Sequence, residues 1–179
     1  TCQPMGIPRA LTPRRIFQTP NDITMLYQTS DYGGGNREFR SIPTDGRKHD
    51  PKKTLAATYN GYTVGRWEGD TLVVESFGFN DRTWLDARGH PHTEALRTKE
   101  RYRRRDFGHL DIEVTLDDPA AYARPWTVAL RADLTPDTEL LESVCNEGPS
   151  QREYWVGKAS DDQKSKVQVA PDVLAKYVG

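Results

Sequence analysis

No stretch of the 179 residues stays apolar for the ~20 positions that a membrane-spanning helix needs. A net charge of -1 gives the chain no overall field to steer it toward nucleic acid or anionic lipid. Hydrophobic residues make up 35%, polar for a folded domain yet above a disordered composition, so one domain with a packed core is expected. There is no Cys-x-x-Cys zinc pair, no Gly-x-Ser-x-Gly elbow and no glycine-rich phosphate loop, and the last of these absences leaves a nucleotide cofactor without support. Cysteine is scarce as well. Cys2 and Cys145 are the only two, and they form either one long-range disulfide or two free buried thiols.

Helical periodicity is almost missing. Thr93 to Leu96 allows one turn, and Pro171 to Tyr177 places Val173, Leu174 and Tyr177 at helical spacing behind a Pro-Asp start. What the chain has instead is alternation. Leu110 to Asp117 and Trp126 to Leu134 alternate apolar and polar residues without a break, as half-buried strands do. Further strands are expected at 16–19, 23–28, 37–42, 62–67, 71–77, 98–105 and 139–145. Turn residues separate them: Glu68-Gly69-Asp70, Asp106-Phe107-Gly108-His109 and Thr135-Pro136-Asp137. The expected fold is all-β, an antiparallel meander of about eight or nine strands closing into a lipocalin- or calycin-like barrel, since closure removes exposed edges. Residues 1–147 would form this barrel domain, including an N-terminal extension. Residues 148–179 read as a polar linker with a short helix or the lead-in to a further domain. Both chain ends are expected to be trimmed from something longer.

The hairpin around Phe107 suggests which side chains point inward. With Arg105 opposite Asp111, Arg103 opposite Glu113, Arg101 opposite Thr115 and Lys99 opposite Asp117, one face becomes a ladder of charges. The other face then carries Leu110, Ile112, Val114 and Leu116 together with Arg104, Tyr102, Glu100 and Thr98. A slip by one residue would set basic side chains against apolar ones. Inward Glu100 and Arg104 require partners, either as the anchor of a ligand cavity or as a structural ion pair at the barrel mouth. The arginine run 101–105 faces an acidic strand and reads as a solvated sheet face, not a nucleic-acid site.

The densest chemical cluster is Gly89-His90-Pro91-His92-Thr93-Glu94. In an extended segment His90, His92 and Glu94 share a face, and two imidazoles with a carboxylate suit a divalent metal such as Zn²⁺. The same groups suit acid–base work, with Asp81 from the preceding loop and the inward Glu100 completing a catalytic set of His90, His92, Asp81 and Glu100. A turn held by hydrogen bonds, with Pro91 splaying the two rings, is the structural alternative. His49 also lies outside the ladders. Tyr102, Arg104, Trp84 and Trp67 are the candidate ligand-binding residues, and Trp84 fits a barrel plug equally well.

The motifs running from Gly65 to Val74, Gly78 to Asp86 and Gly89 to His92, with Asp117-Asp118-Pro119 and Pro125-Trp126-Thr127, resemble a large family of uncharacterised exported bacterial proteins. The resemblance covers roughly Cys2 to Glu147. It implies a periplasmic or extracellular location, a signal peptide and a helical stretch ahead of the position of Cys2, and a Cys2–Cys145 disulfide in an oxidising compartment. The family commonly carries a histidine where this chain has Arg97, and the tail from Val169 to Gly179 is similar to the lead-in of a small β-domain of exported proteins. Three functions follow as expectations. One is a binding protein for a small apolar or aromatic molecule. Another is an accessory subunit docked on other protein subunits of an extracytoplasmic or membrane complex. The third is a hydrolase or lyase using the His/acid site, with or without metal.

Overall fold

The computed structural model describes residues 4–10, 12–29, 36–50 and 56–140. The chain divides into two units, Thr1–Cys145 and Asn146–Gly179, and every described residue belongs to the first. The Cys2–Cys145 pair, most of the strand expected at 139–145, the linker and the C-terminal helix all lie outside the described residues.

Among the described residues the alternating segments become eight antiparallel strands: β1 (Arg15–Gln18), β2 (Asp22–Thr29), β3 (Asn36–Pro43), β4 (Tyr62–Glu68), β5 (Thr71–Phe77), β6 (Arg97–Arg104), β7 (His109–Asp117) and β8 (Trp126–Asp133). Among the described residues there is no helix, and Thr93 to Leu96 is a single turn closed by Leu96 N–H on the Thr93 carbonyl. The strands form two sheets, ordered β1-β2-β3 and β4-β5-β6-β7-β8. A ladder joining the two into a closed barrel is absent among the described residues.

Each hairpin sets its register through its turn. β4 and β5 meet at Gly69-Asp70, with Glu68 opposite Thr71 and Gly69 at φ +62°, a conformation that a two-residue hairpin favours and glycine adopts without strain. Between β6 and β7 the turn is tighter than the sequence suggests. Asp106 Oδ1 accepts Gly108 N–H at 2.8 Å and contacts His109 Nδ1 at 2.7 Å, while Arg105 N–H reaches the His109 carbonyl. Arg103 therefore faces Asp111, Arg101 faces Glu113 and Lys99 faces Thr115, two residues away from the expected charge ladder. Because the displacement is even, every side chain keeps its face.

The core forms between the sheets. Ile23, Met25, Tyr27 and Ile42 meet Leu72, Val74, Ile112 and Val114, all buried. Each such aliphatic side chain contributes roughly 1.5–3 kcal/mol by leaving water. The sheets approach closely at Gly65 in β4, where a Cβ would lie 2.7 Å from Ile42 Cγ2 and 3.1 Å from Thr44 Cγ2. Glycine is needed there for space, which lets β3 come to rest against β4.

Candidate functional site

Three polar constellations stand out: a buried one between the sheets, a loop one around the histidines, and an open cleft at one end of the strands.

The buried constellation centres on Glu100. Alternation along β6 turns Thr98, Glu100 and Tyr102 inward, all buried. The partner of Glu100 comes from β3, not from Arg104. Arg40 Nη1 and Nη2 donate to the two carboxylate oxygens at 2.9 and 2.8 Å, a bidentate charge-assisted pair. Tyr102 Oη donates to the same carboxylate at 2.5 Å and Thr98 Oγ1 at 3.3 Å. Arg40 Nη2 also reaches Ser76 Oγ at 3.0 Å, and Nη1 the Tyr27 hydroxyl at 3.5 Å. Burial and the negative charge of Glu100 push the Tyr102 hydroxyl well above its ordinary pKa, so it stays a donor. Burial alone would lower the Arg40 pKa, but Glu100 together with Tyr27 and Tyr102 more than reverses this and keeps the guanidinium charged. A carboxylate with four donors and no exposed surface is built to hold structure; it has no side open to a reactant.

Nearby on β3, Glu38 is also buried. It accepts Met5 N–H at 3.1 Å and Asn60 Nδ2 at 3.3 Å, anchoring the N-terminal segment. Burial raises its pKa, and these hydrogen bonds only partly offset the effect.

The loop constellation separates the residues that the sequence grouped. His92 is buried, with Nε2 2.8 Å from Thr83 Oγ1 and Nδ1 directed at the Thr93 carbonyl at 3.3 Å. The carbonyl can only accept, so Nδ1 carries a proton there, and in the neutral ring Nε2 receives the Thr83 hydroxyl. His90 is exposed, and its Nδ1 lies 2.6 Å from Asp86 Oδ2. Asp86 Oδ1 takes the backbone N–H groups of Arg88 and His90, and the His90 hydrogen bond is the first cause of its lowered pKa. Asp81 and Glu94 are exposed. No hydrogen bond or ion pair joins any two of His90, His92, Asp81, Glu94 and Glu100 among the described residues. No group of three or more His, Cys, Asp or Glu side chains among them is arranged to hold a metal. Asp118 fixes the loop from outside, accepting Thr93 N–H at 2.6 Å and Thr93 Oγ1 at 2.8 Å. Burial works against its charge, but these hydrogen bonds win and lower its pKa. The two candidate tryptophans are about half exposed: Trp84 at 50% in the loop, bridged through its backbone to Pro91, and Trp67 at 48% on β4.

The cleft is about 750 Å³, within the range of small-molecule sites. One side comes from β1 and β2, with Arg14, Arg15, Ile16 and Gln28. The other comes from the β6–β7 turn and the chain leaving β8, with Arg104, Phe107, His109, Leu110 and Leu134. Arg104 is thus the one sequence candidate that lines it. It shares the inward face of β6 with Tyr102 but sits past the edge of the packed core, exposed. Its Nε donates to the Asp106 carbonyl at 3.2 Å and Nη2 to the Phe107 carbonyl at 3.0 Å, and its guanidinium lies over the Phe107 ring at 5.3 Å. His109 holds Asp106 through Nδ1, with Nε2 3.9 Å from Asp133 Oδ1. Arg14, Arg15, Phe107, His109 and Leu134 carried no functional signal in the sequence, because they come from separate turns and strand ends that only the fold assembles. No family model, curated protein or solved structure matches this chain.

Proposed function

We propose that this is an extracytoplasmic small-molecule-binding protein, its two sheets acting as the walls of a lipocalin-like barrel whose ligand enters at the cleft between β1–β2 and the β6–β7 turn. The observation that carries this reading is the cleft itself. It is about 750 Å³ and combines apolar side chains (Ile16, Leu110, Leu134) with a guanidinium held in place by backbone carbonyls. Binding sites of this size characteristically pair an apolar lining with a few fixed polar groups. The exported location rests on the motif resemblance from Gly65 to His92.

The catalytic alternative, a hydrolase or lyase, draws on the 2.6 Å contact between His90 and Asp86. Among the described residues no hydroxyl or thiol is bonded to His90, which makes binding the preferred reading. A panel of small aromatic and aliphatic molecules titrated into ¹⁵N-labelled protein tests it. Saturable shifts confined to residues around Phe107, Leu110 and Leu134 are expected. Absence of saturable shifts across the panel, or shifts centred on His90, would reject it.

A further inference from the structure

We infer that the cleft takes an amphipathic anion, a molecule with one carboxylate or sulfonate group on an apolar or aromatic body; this rests on the binding reading above. The argument begins with how the arginines are compensated. On the outer face of the larger sheet Arg66, Arg101, Arg103 and Arg105 each hold a carboxylate within 3.1 Å. The three arginines that line the cleft do not. Arg104 and Arg14 spend their hydrogen bonds on neutral carbonyls, at Asp106, Phe107 and Gln28. The Arg15 side chain has no hydrogen-bond or ion-pair partner among the described residues. A carbonyl orients a guanidinium without cancelling its charge, so the donors left over on Arg104 are both positioned and unneutralised.

Two acids also line the cleft, Asp133 and Glu139. Asp133 Oδ1 lies 3.9 Å from His109 Nε2, and among the described residues no hydrogen bond or ion pair joins it to Arg104. Three guanidinium groups therefore outnumber the two carboxylates that line the cleft. Beside them is apolar surface left in water: Ile16 is 42% exposed, Leu134 49% and Phe107 77%. A purely ionic ligand would leave that surface wet, and a purely apolar one would leave the fixed arginine unpaired. A ligand carrying both features satisfies both.

The test uses the full chain and two fluorescent probes of nearly the same ring system, anilinonaphthalene sulfonate and uncharged phenylnaphthylamine. Both are expected to bind, the sulfonate more tightly and with an affinity that falls as salt rises, while the neutral probe is indifferent to salt. Arg104→Ala should weaken the sulfonate about tenfold and the neutral probe several-fold less. Arg15→Gln, at an exposed position, should act in the same direction and serves if the first variant melts early. Ala132→Trp, which fills the cleft, should remove both probes. Equal affinity for the two probes, unmoved by either arginine change, would overturn the anion inference and leave small-molecule binding standing. Failure of both probes to bind the unaltered protein would overturn the binding reading and this inference together.

Discussion

Glu100 on β6 and Arg40 on β3, separated by 60 positions in sequence, meet through two hydrogen bonds of 2.8 and 2.9 Å with almost no solvent on either side chain. They belong to different sheets, so their pairing couples the two. Removing one member leaves a buried charge without its counter-ion, which costs about 3–5 kcal/mol. Arg40→Met is expected to lose that much in denaturant unfolding. Arg40→Met combined with Glu100→Leu should lose clearly less than the sum of the two single changes. Additive losses would mean that the two side chains stabilise the fold independently.

Glu38 should respond to acid in the opposite way from most carboxylates. Its pKa is raised by burial, so the native state favours the protonated form more than the unfolded chain does. The resulting penalty is complete above the folded pKa and disappears as pH falls through it toward the unfolded value of about 4.3. Glu38→Gln is therefore expected to keep or raise the melting temperature at neutral pH. Asn60 Nδ2 donates to the Glu38 carboxylate, and a half-turn of the Asn60 amide would offer its Oδ1, which lacks a partner among the described residues, to the new amide N–H. A large drop in melting temperature at neutral pH would contradict this.

Asp118 supplies the normal sign. Its pKa is lowered by the Thr93 hydrogen bonds against the opposing effect of burial. Its stabilisation is present above the unfolded value of about 3.9 and is lost as pH falls through the folded one. Asp118→Ala should cost roughly 1–3 kcal/mol at neutral pH by leaving Thr93 N–H without its acceptor. It should also flatten the acid limb of a stability–pH curve. Asp118→Asn, which keeps one acceptor oxygen, should lie between the two. An unchanged acid limb in the alanine variant would remove Asp118 from this role.

Gly65 tests the contact between β3 and β4. A Cβ there would come within 2.7 Å of Ile42 Cγ2, on a side chain that is itself fully buried. Gly65→Ala is expected to cost about 1–3 kcal/mol through overpacking. The same change in an Ile42→Ala background, where the offending methyl is gone, should cost much less. A penalty of equal size in both backgrounds would assign it to backbone conformation instead of space.

Much of the strand pattern was legible because β7 is unambiguous. Leu110, Ile112, Val114 and Leu116 alternate with charged or hydroxyl residues, and their antiparallel partners must share their face. That is how Glu100 and Tyr102 were placed inward on β6, a strand with no aliphatic residue of its own. β3 offered no such guide. Its sequence Arg37 to Pro43 places the aromatic Phe39 on one face and Glu38, Arg40 and Ile42 on the other, and the aromatic face is the exposed one, Phe39 at 67%. The deciding information sits on β2, where Ile23 and Met25 lie opposite Ile42 and Arg40. Reading β3 through β2 would have turned Arg40 inward and given Glu100 its partner. The charge ladder came out two residues displaced because the side chain of Asp106 tightens the turn, a local capture that alternation does not encode. The cleft was not legible at all: its walls are turns and strand ends, and no period or spacing ties Arg14 to Phe107.

On the outer flank of the larger sheet, Glu68 receives Arg66 from its own strand and Arg101 from β6, while Arg103 reaches across to Asp70. Alternating signs of this kind keep a broad flat flank hydrated and make it a poor template for stacking a like sheet on top. That flank is thereby guarded against fibril-like association, while the arginine and apolar side chains of the cleft stand open at the same end of the strands, beside the β6–β7 turn.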